Sequence, residues 1–195
     1  MEAYLPYPGL RPFKREETDI FFGREEQVDQ LLDKLSESHF LSVVGPSGCG
    51  KSSLVKAGMI ASLEAGFMAT AGTNWQIAEL RPGSHPIKRL ATGILEILKN
   101  QRKEEDALAF INATLKRGPL GLVELLQETP LPENCNLLIL IDQFEEIFRY
   151  RKEENTDEAD AFVSLLIASA TQIQFPVYVV ITMRSDFLGD CSIFP

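Results

Sequence analysis

Residues 45–52, Gly-Pro-Ser-Gly-Cys-Gly-Lys-Ser, match G-x-x-x-x-G-K-[ST] without a mismatch. These residue types suit the holding of a triphosphate, a dense anion that needs many donors close together. Gly45, Gly48 and Gly50 let the backbone fold tightly with its N–H groups turned inward. The first turn of a following helix adds unpaired N–H groups and the positive end of its dipole. Lys51 is placed to reach the β- and γ-phosphates, and the Ser52 hydroxyl to ligate Mg²⁺. Cys49 lies inside the loop near a helix start, where a thiol pKa can fall; a small residue that simply fits is the favoured reading.

Two further groups belong to the same chemistry. Asp142 closes a run of five large aliphatics, residues 137–141. A continuous apolar run marks a strand covered on both faces, and its C-terminal end is where open parallel sheets place their ligands. An acid there holds Mg²⁺, usually through water; the competing reading is a cap for the next helix. Arg184 follows the apolar run 175–183 and would stand beside the γ-phosphate if that strand lies between the first and third. An ion pair with Asp186 or Glu145 is the second-ranked reading. Hydrolysis also needs a group that orients water. Glu145 is narrowly preferred, Glu146 and Gln143 are alternatives, and an acidic helix start remains an open reading of the two glutamates.

The elements that must position these groups follow from periodicity. Phe40 to Val44 reads as a buried strand running into the loop, and Leu54, Val55, Ala57, Gly58, Ile60 and Leu63 mark the helix after it. Residues 1–13, rich in proline and aromatics, should be extended and docked on the domain. Val28, Leu31, Leu32 and Leu35 define an amphipathic helix over 24–36. Residues 74–80 read as a second strand and the turn 81–86 closes it, with Pro86 suited to open a helix. Short helices around Leu108–Leu115 and Leu122–Leu126 are split by Gly118-Pro119, and 129–136 is a loop. Residues 151–157 read as a charged loop before a helix marked by Ala159, Phe162, Leu165 and Leu166. Four strands alternating with helices specify an α/β protein with a mainly parallel sheet.

Composition narrows the classes. At 195 residues the chain fits one domain with a short N-terminal extension, and 45% hydrophobic with 24% charged residues is ordinary for a globular protein. A net charge of −9 disfavours a nucleic-acid or acidic-membrane surface. Three widely spaced cysteines form neither a disulfide framework nor a zinc pattern, which suits a cytoplasmic protein. No apolar run approaches the ~20 residues of a membrane span.

Five pieces occur in order: Pro-Tyr-Pro-Gly-Leu-Arg-Pro-Phe (6–13), Phe-Phe-Gly-Arg-Glu (21–25), Gly-Pro-Ser-Gly-Cys-Gly-Lys-Ser-Ser-Leu-Val (45–55), Ile-Asp-Gln-Phe-Glu-Glu (141–146) and Met-Arg-Ser-Asp-Phe-Leu (183–188). Together they resemble the N-terminal half of the NTPase module of the novel STAND family, AAA+/NACHT-like P-loop signal-transduction ATPases of the additional-strand type. The resemblance implies a three-layer α/β/α sandwich ordered 5-1-4-3-2, with 1–36 as docking segment and adenine-side helix and 37–195 as the core. It implies ATP or ADP and Mg²⁺ as ligands. Gly23 and Arg24 would approach the adenine end, Gly45, Ser47, Gly48, Gly50, Lys51, Ser52 and Ser53 the phosphates, Asp142 the metal, and Arg184 the γ-phosphate. It also implies a nucleotide-gated switch that forms homo-oligomers, linked in bacterial members to defence or signalling.

Two departures shape the expectation. Gln143 stands where many relatives carry a second acid, which points to slow hydrolysis or to a nucleotide-holding module without turnover. The fifth strand, lid, sensor and effector are expected beyond residue 195 or on a partner protein, so the chain reads as a truncated or split part of a larger system. A small-molecule kinase would need an acceptor site that the sequence does not display. No guanine-reading Asn/Thr-Lys-x-Asp and no Leu-Ser-Gly-Gly-Gln are present, which disfavours a GTPase and a transporter ATPase.

Overall fold

A computed structural model describes residues 9, 11–98 and 104–194; the docking expected of residues 1–8 lies outside them. Four strands form one parallel sheet: β1 (Phe40–Gly45), β2 (Trp75–Leu80), β3 (Asn136–Ile141) and β4 (Val177–Arg184), in the order β1-β4-β3-β2. This is the expected 1-4-3-2 portion of the order. Every residue of β3 is buried, as its unbroken aliphatic run requires. β4 starts two residues later than the apolar run suggests. Pro176 has no N–H to give to a ladder, although its carbonyl still accepts from the Leu137 N–H at 2.9 Å.

Alternation along the strands divides the interior into two cores. Leu137, Ile139 and Ile141, with Val177, Val179, Ile181 and Met183, face one side. There they meet α4 (Pro86–Leu98), α5 (Glu104–Leu115), α6 (Gly121–Glu128), α7 (Glu146–Glu153) and α8 (Thr156–Thr171). Leu138, Leu140, Tyr178 and Val180 face the other side, against α1 (Glu25–Ser38) and the helix that follows the phosphate loop. This gives the expected three layers. Among the described residues no helix is long and apolar enough to cross a membrane.

The helix after the loop is continuous over 51–64 but not uniform. It comprises α2 (Lys51–Ser53), a π-helical stretch Leu54–Ile60 and α3 (Ala61–Glu64). Residue spacing does not disclose the widened turns, which leave the apolar positions on nearly the same face. Gly58 sits in this stretch because α1 presses against it. A Cβ at Gly58 would lie 2.5 Å from Val28 Cγ2.

One expectation is corrected. The charged stretch 151–157 is mostly helical: α7 continues to Glu153 and α8 begins at Thr156. Ile147, Phe148 and Tyr150 bury one face of α7, so its charges are solvent-side groups of a helix. Arg151 Nε donates to Asp160 Oδ1 at 2.7 Å and ties the two helices together. The Asn155 side chain caps α8 by accepting from the Glu158 N–H at 2.9 Å.

Candidate nucleotide site

Parallel register brings the C-terminal strand ends level. Gly45 pairs with Arg184 across β1 and β4, and Ile141 pairs with Ile181 across β3 and β4. The phosphate loop, Asp142 and Arg184 thus meet at one rim of the sheet, where a ligand of an open α/β fold is bound. An open cavity of about 370 Å³ lies there. Ser47, Gly48, Gly50, Lys51, Ser52 and Ser53 line one wall, and Gln143, Glu145, Thr182 and Arg184 another. Gly9, Arg11, Pro12 and Phe13 complete it, a contribution that docking of the N-terminal segment foreshadows without specifying which residues arrive.

The loop conformation explains its glycines. Gly48 and Gly50 have φ of +75° and +89°, where a side chain is strained. A Cβ on Gly45 would lie 3.0 Å from Cys49 Sγ. Cys49 is exposed but does not line the cavity. Lys51 Nζ donates to the carbonyls of Gly45 at 2.9 Å and Pro46 at 2.8 Å. Arg24 touches the loop from outside, its guanidinium 3.5 Å from the Cys49 carbonyl. Neither Gly23 nor Arg24 lines the cavity.

Beneath the cavity Asp142 is 1% exposed and held at both oxygens. Ser52 and Thr182 hydroxyls each donate to Oδ1 at 2.7 Å. Lys56 Nζ lies 3.1 Å from Oδ2, an ion-pair contact without hydrogen-bond alignment, and 2.5 Å from Glu79 Oε1. Burial pushes the Asp142 carboxyl up, but the two hydroxyls and the Lys56 charge outweigh it and hold it below the usual carboxylate range. Asp142 is therefore a carboxylate at neutral pH. Because its O–H is donated to Asp142 as a hydrogen bond, Ser52 Oγ keeps lone pairs free for a cation. This donor set fits Mg²⁺, a hard cation that takes few protein oxygens and draws the rest from water and phosphate. Among the described residues no cluster of three or more His, Cys, Asp and Glu side chains offers a fuller metal cage.

The two adjacent glutamates separate. Glu145 lines the cavity and its Oε2 accepts from the Arg184 N–H at 3.3 Å. Glu146 turns away to accept from the Gly83 N–H at 3.0 Å. Gln143 adopts φ +59° and gives its N–H to Thr182 Oγ1 at 3.0 Å. Arg184 faces the cavity but pairs bidentately with Asp186, with Nε donating to Oδ1 at 3.1 Å, and lies over the Phe187 ring. The alternative ion pair and the cavity position thus coexist.

Thr182 and Lys56 are absent from the sequence-based set. Each carried a signal: a hydroxyl inside an otherwise apolar strand, and a cation between buried Val55 and Ala57.

The model of the family described as Novel STAND NTPase 1 matches residues 6–195. Among solved structures, the chain is similar to the Aeropyrum pernix ORC2 protein in its ADPNP-ADP complexes, at 18% identity and a TM-score of 0.50. That match covers 95% of this chain and 44% of the other, so this chain spans under half the length of that protein. At such identity the likeness is one of fold. No curated protein matches the chain.

Proposed function

The chain belongs to the Novel STAND NTPase 1 family, and from that premise we propose that it binds Mg-ATP and hydrolyses it slowly, as the nucleotide-gated module of a signalling switch. The observation that carries this reading is the 2.7 Å bond from Ser52 to buried Asp142, at the floor of a cavity that Lys51 and Arg184 both line. Amides of the loop from Gly45 to Ser53 would cradle the phosphates. Lys51 would leave the Gly45 and Pro46 carbonyls for the phosphate oxygens, and Arg184 would exchange Asp186 for the γ-phosphate. Mg²⁺, held by Ser52 and, through water, by Asp142, would neutralise charge on the β- and γ-phosphates. Glu145, which lines the cavity wall beside Gln143, would orient the water. Gly23 and Arg24 are assigned to the adenine end.

Phosphate release by the purified protein tests turnover. Lys51→Ala and Glu145→Gln should each lower it by about 100-fold or more, in the range of one positioned acid–base or electrostatic group. A wild-type rate equal to buffer sinks the hydrolytic reading. A module that holds nucleotide without turnover is favoured by Gln143, which occupies the position directly after Asp142. That reading predicts nucleotide-dependent homo-oligomers with no phosphate released. Base preference for adenine is tested by heating: equal protection by ATP and GTP would overturn it. The switch role in defence or signalling, and any sensor or effector partner, rest on the family alone.

A further inference from the structure

Lys56 projects from the π-helical stretch beneath the phosphate loop, with its side chain 14% exposed. It does not line the cavity, so it is not a second phosphate ligand. Its ammonium instead spans two carboxylates, Asp142 at the end of β3 and Glu79 on β2. The division of labour at Asp142 is the informative feature. Oδ1 takes both hydroxyl bonds, whereas Oδ2 is buried and receives no aligned hydrogen bond. Lys56 is the near cation for Oδ2; Arg81, half exposed, stands off at 3.9 Å. Among the described residues Arg81 is the other cation within 4 Å of Oδ2, so loss of Lys56 would leave that buried oxygen to a half-exposed partner.

We propose that Lys56 is a positioning residue for the metal-bound nucleotide: by anchoring Asp142 Oδ2, with Glu79 restraining the ammonium from the opposite side, it keeps Oδ1 on the Ser52 hydroxyl and so keeps the Ser52 lone pairs turned to Mg²⁺. This rests on the Mg-ATP reading above. Lys56 lies within the widened helical turn and contacts carboxylates at the end of β3 and on β2.

The test is a Mg²⁺ titration of the full chain with saturating ATP, read as melting temperature and started from EDTA. Wild type should gain protection from ATP alone and more as Mg²⁺ rises. Lys56→Met should keep the metal-free gain but move the Mg²⁺ midpoint up by about 10-fold, the lower end for outer-shell partners of metal ligands. Lys56→Arg should restore it to near the wild-type midpoint. If Lys56→Met does not fold, Lys56→Gln is read in the same titration, with a smaller upward shift expected. A lowered Melting temperature with an unmoved midpoint marks a merely structural lysine and overturns the proposal. A midpoint shifted downward also overturns it, because that is what loss of a repelling cation would give. If wild type itself fails to respond to Mg-ATP, the nucleotide reading falls first and this inference falls with it.

Discussion

Single atoms at the floor of the cavity carry the strongest consequences. Asp142 is charged because hydroxyls and a lysine offset its burial, so Asp142→Ala leaves Lys56 with one exposed carboxylate and Ser52 without its acceptor. A second carboxylate is held by several contacts through Arg11, which itself lines the cavity. Arg11 binds Glu17 in a fork with contacts of 2.5 and 2.7 Å, and the Lys14 N–H adds a third at 2.8 Å. The Arg11 hydrogen bonds and then the Lys14 amide pull the Glu17 carboxyl from an ordinary 4.5 to about 2. A depressed carboxyl contributes stability that is complete above its unfolded value and lost as pH falls through its folded one. Glu17→Gln should therefore lower the melting temperature at pH 7, and the difference from wild type should shrink between pH 4.5 and 2; a pH-independent difference would refute the assignment. Arg184 makes a separate prediction. Its pair with Asp186 is exposed and therefore weak, and it competes with any phosphate. Asp186→Asn should raise the preference for ATP over ADP by about two- to five-fold in calorimetric binding, and an unchanged ratio would remove Arg184 from the γ-phosphate.

Among the elements, the contact of α1 with the π-helical stretch is the tightest constraint on sequence. Gly58→Ala places a methyl 2.5 Å from a β-branched side chain that has little room to turn. Overpacking of this kind costs about 1–3 kcal/mol, against roughly 1 kcal/mol regained in helix propensity. A net loss of up to about 2 kcal/mol is expected in urea unfolding. Combining Gly58→Ala with Val28→Ala should cost less than the sum of the two. These elements also show what a sequence displays and what it conceals. The run at 137–141 announced β3, and the alternation of helices and strands announced the parallel sheet, because burial on two faces leaves a one-dimensional trace. The helical character of 151–153 was masked because the solvent side of α7 carries most of the charge and its buried face is short. Lys56 and Thr182 escaped because their partners lie 86 and 40 positions away from them, at Asp142. The phosphate loop was legible because its chemistry is local; the support of the acid was not, because it is assembled by register.

Across the whole molecule, the central sheet belongs to both interiors at once. Adjacent residues of β3 face opposite cores, so neither core can empty without exposing the other. Trp75, the sole tryptophan, reports on one side. Ile139→Ala, on the other side, should cost about 2–5 kcal/mol and move the Trp75 fluorescence transition as far as the far-ultraviolet dichroism transition. Two separated transitions would mean that the layers unfold independently. The same connectedness operates at the upper rim of β4. Thr182 holds the carboxylate and Arg184 stands two positions on, turned to the same side of the strand. A strand is stiff along its length, so displacement of the guanidinium and displacement of the acid are coupled through two peptide units. The acid and the guanidinium therefore share one lever, and a chain carrying Thr182→Val would have both arms mis-set by a single missing oxygen.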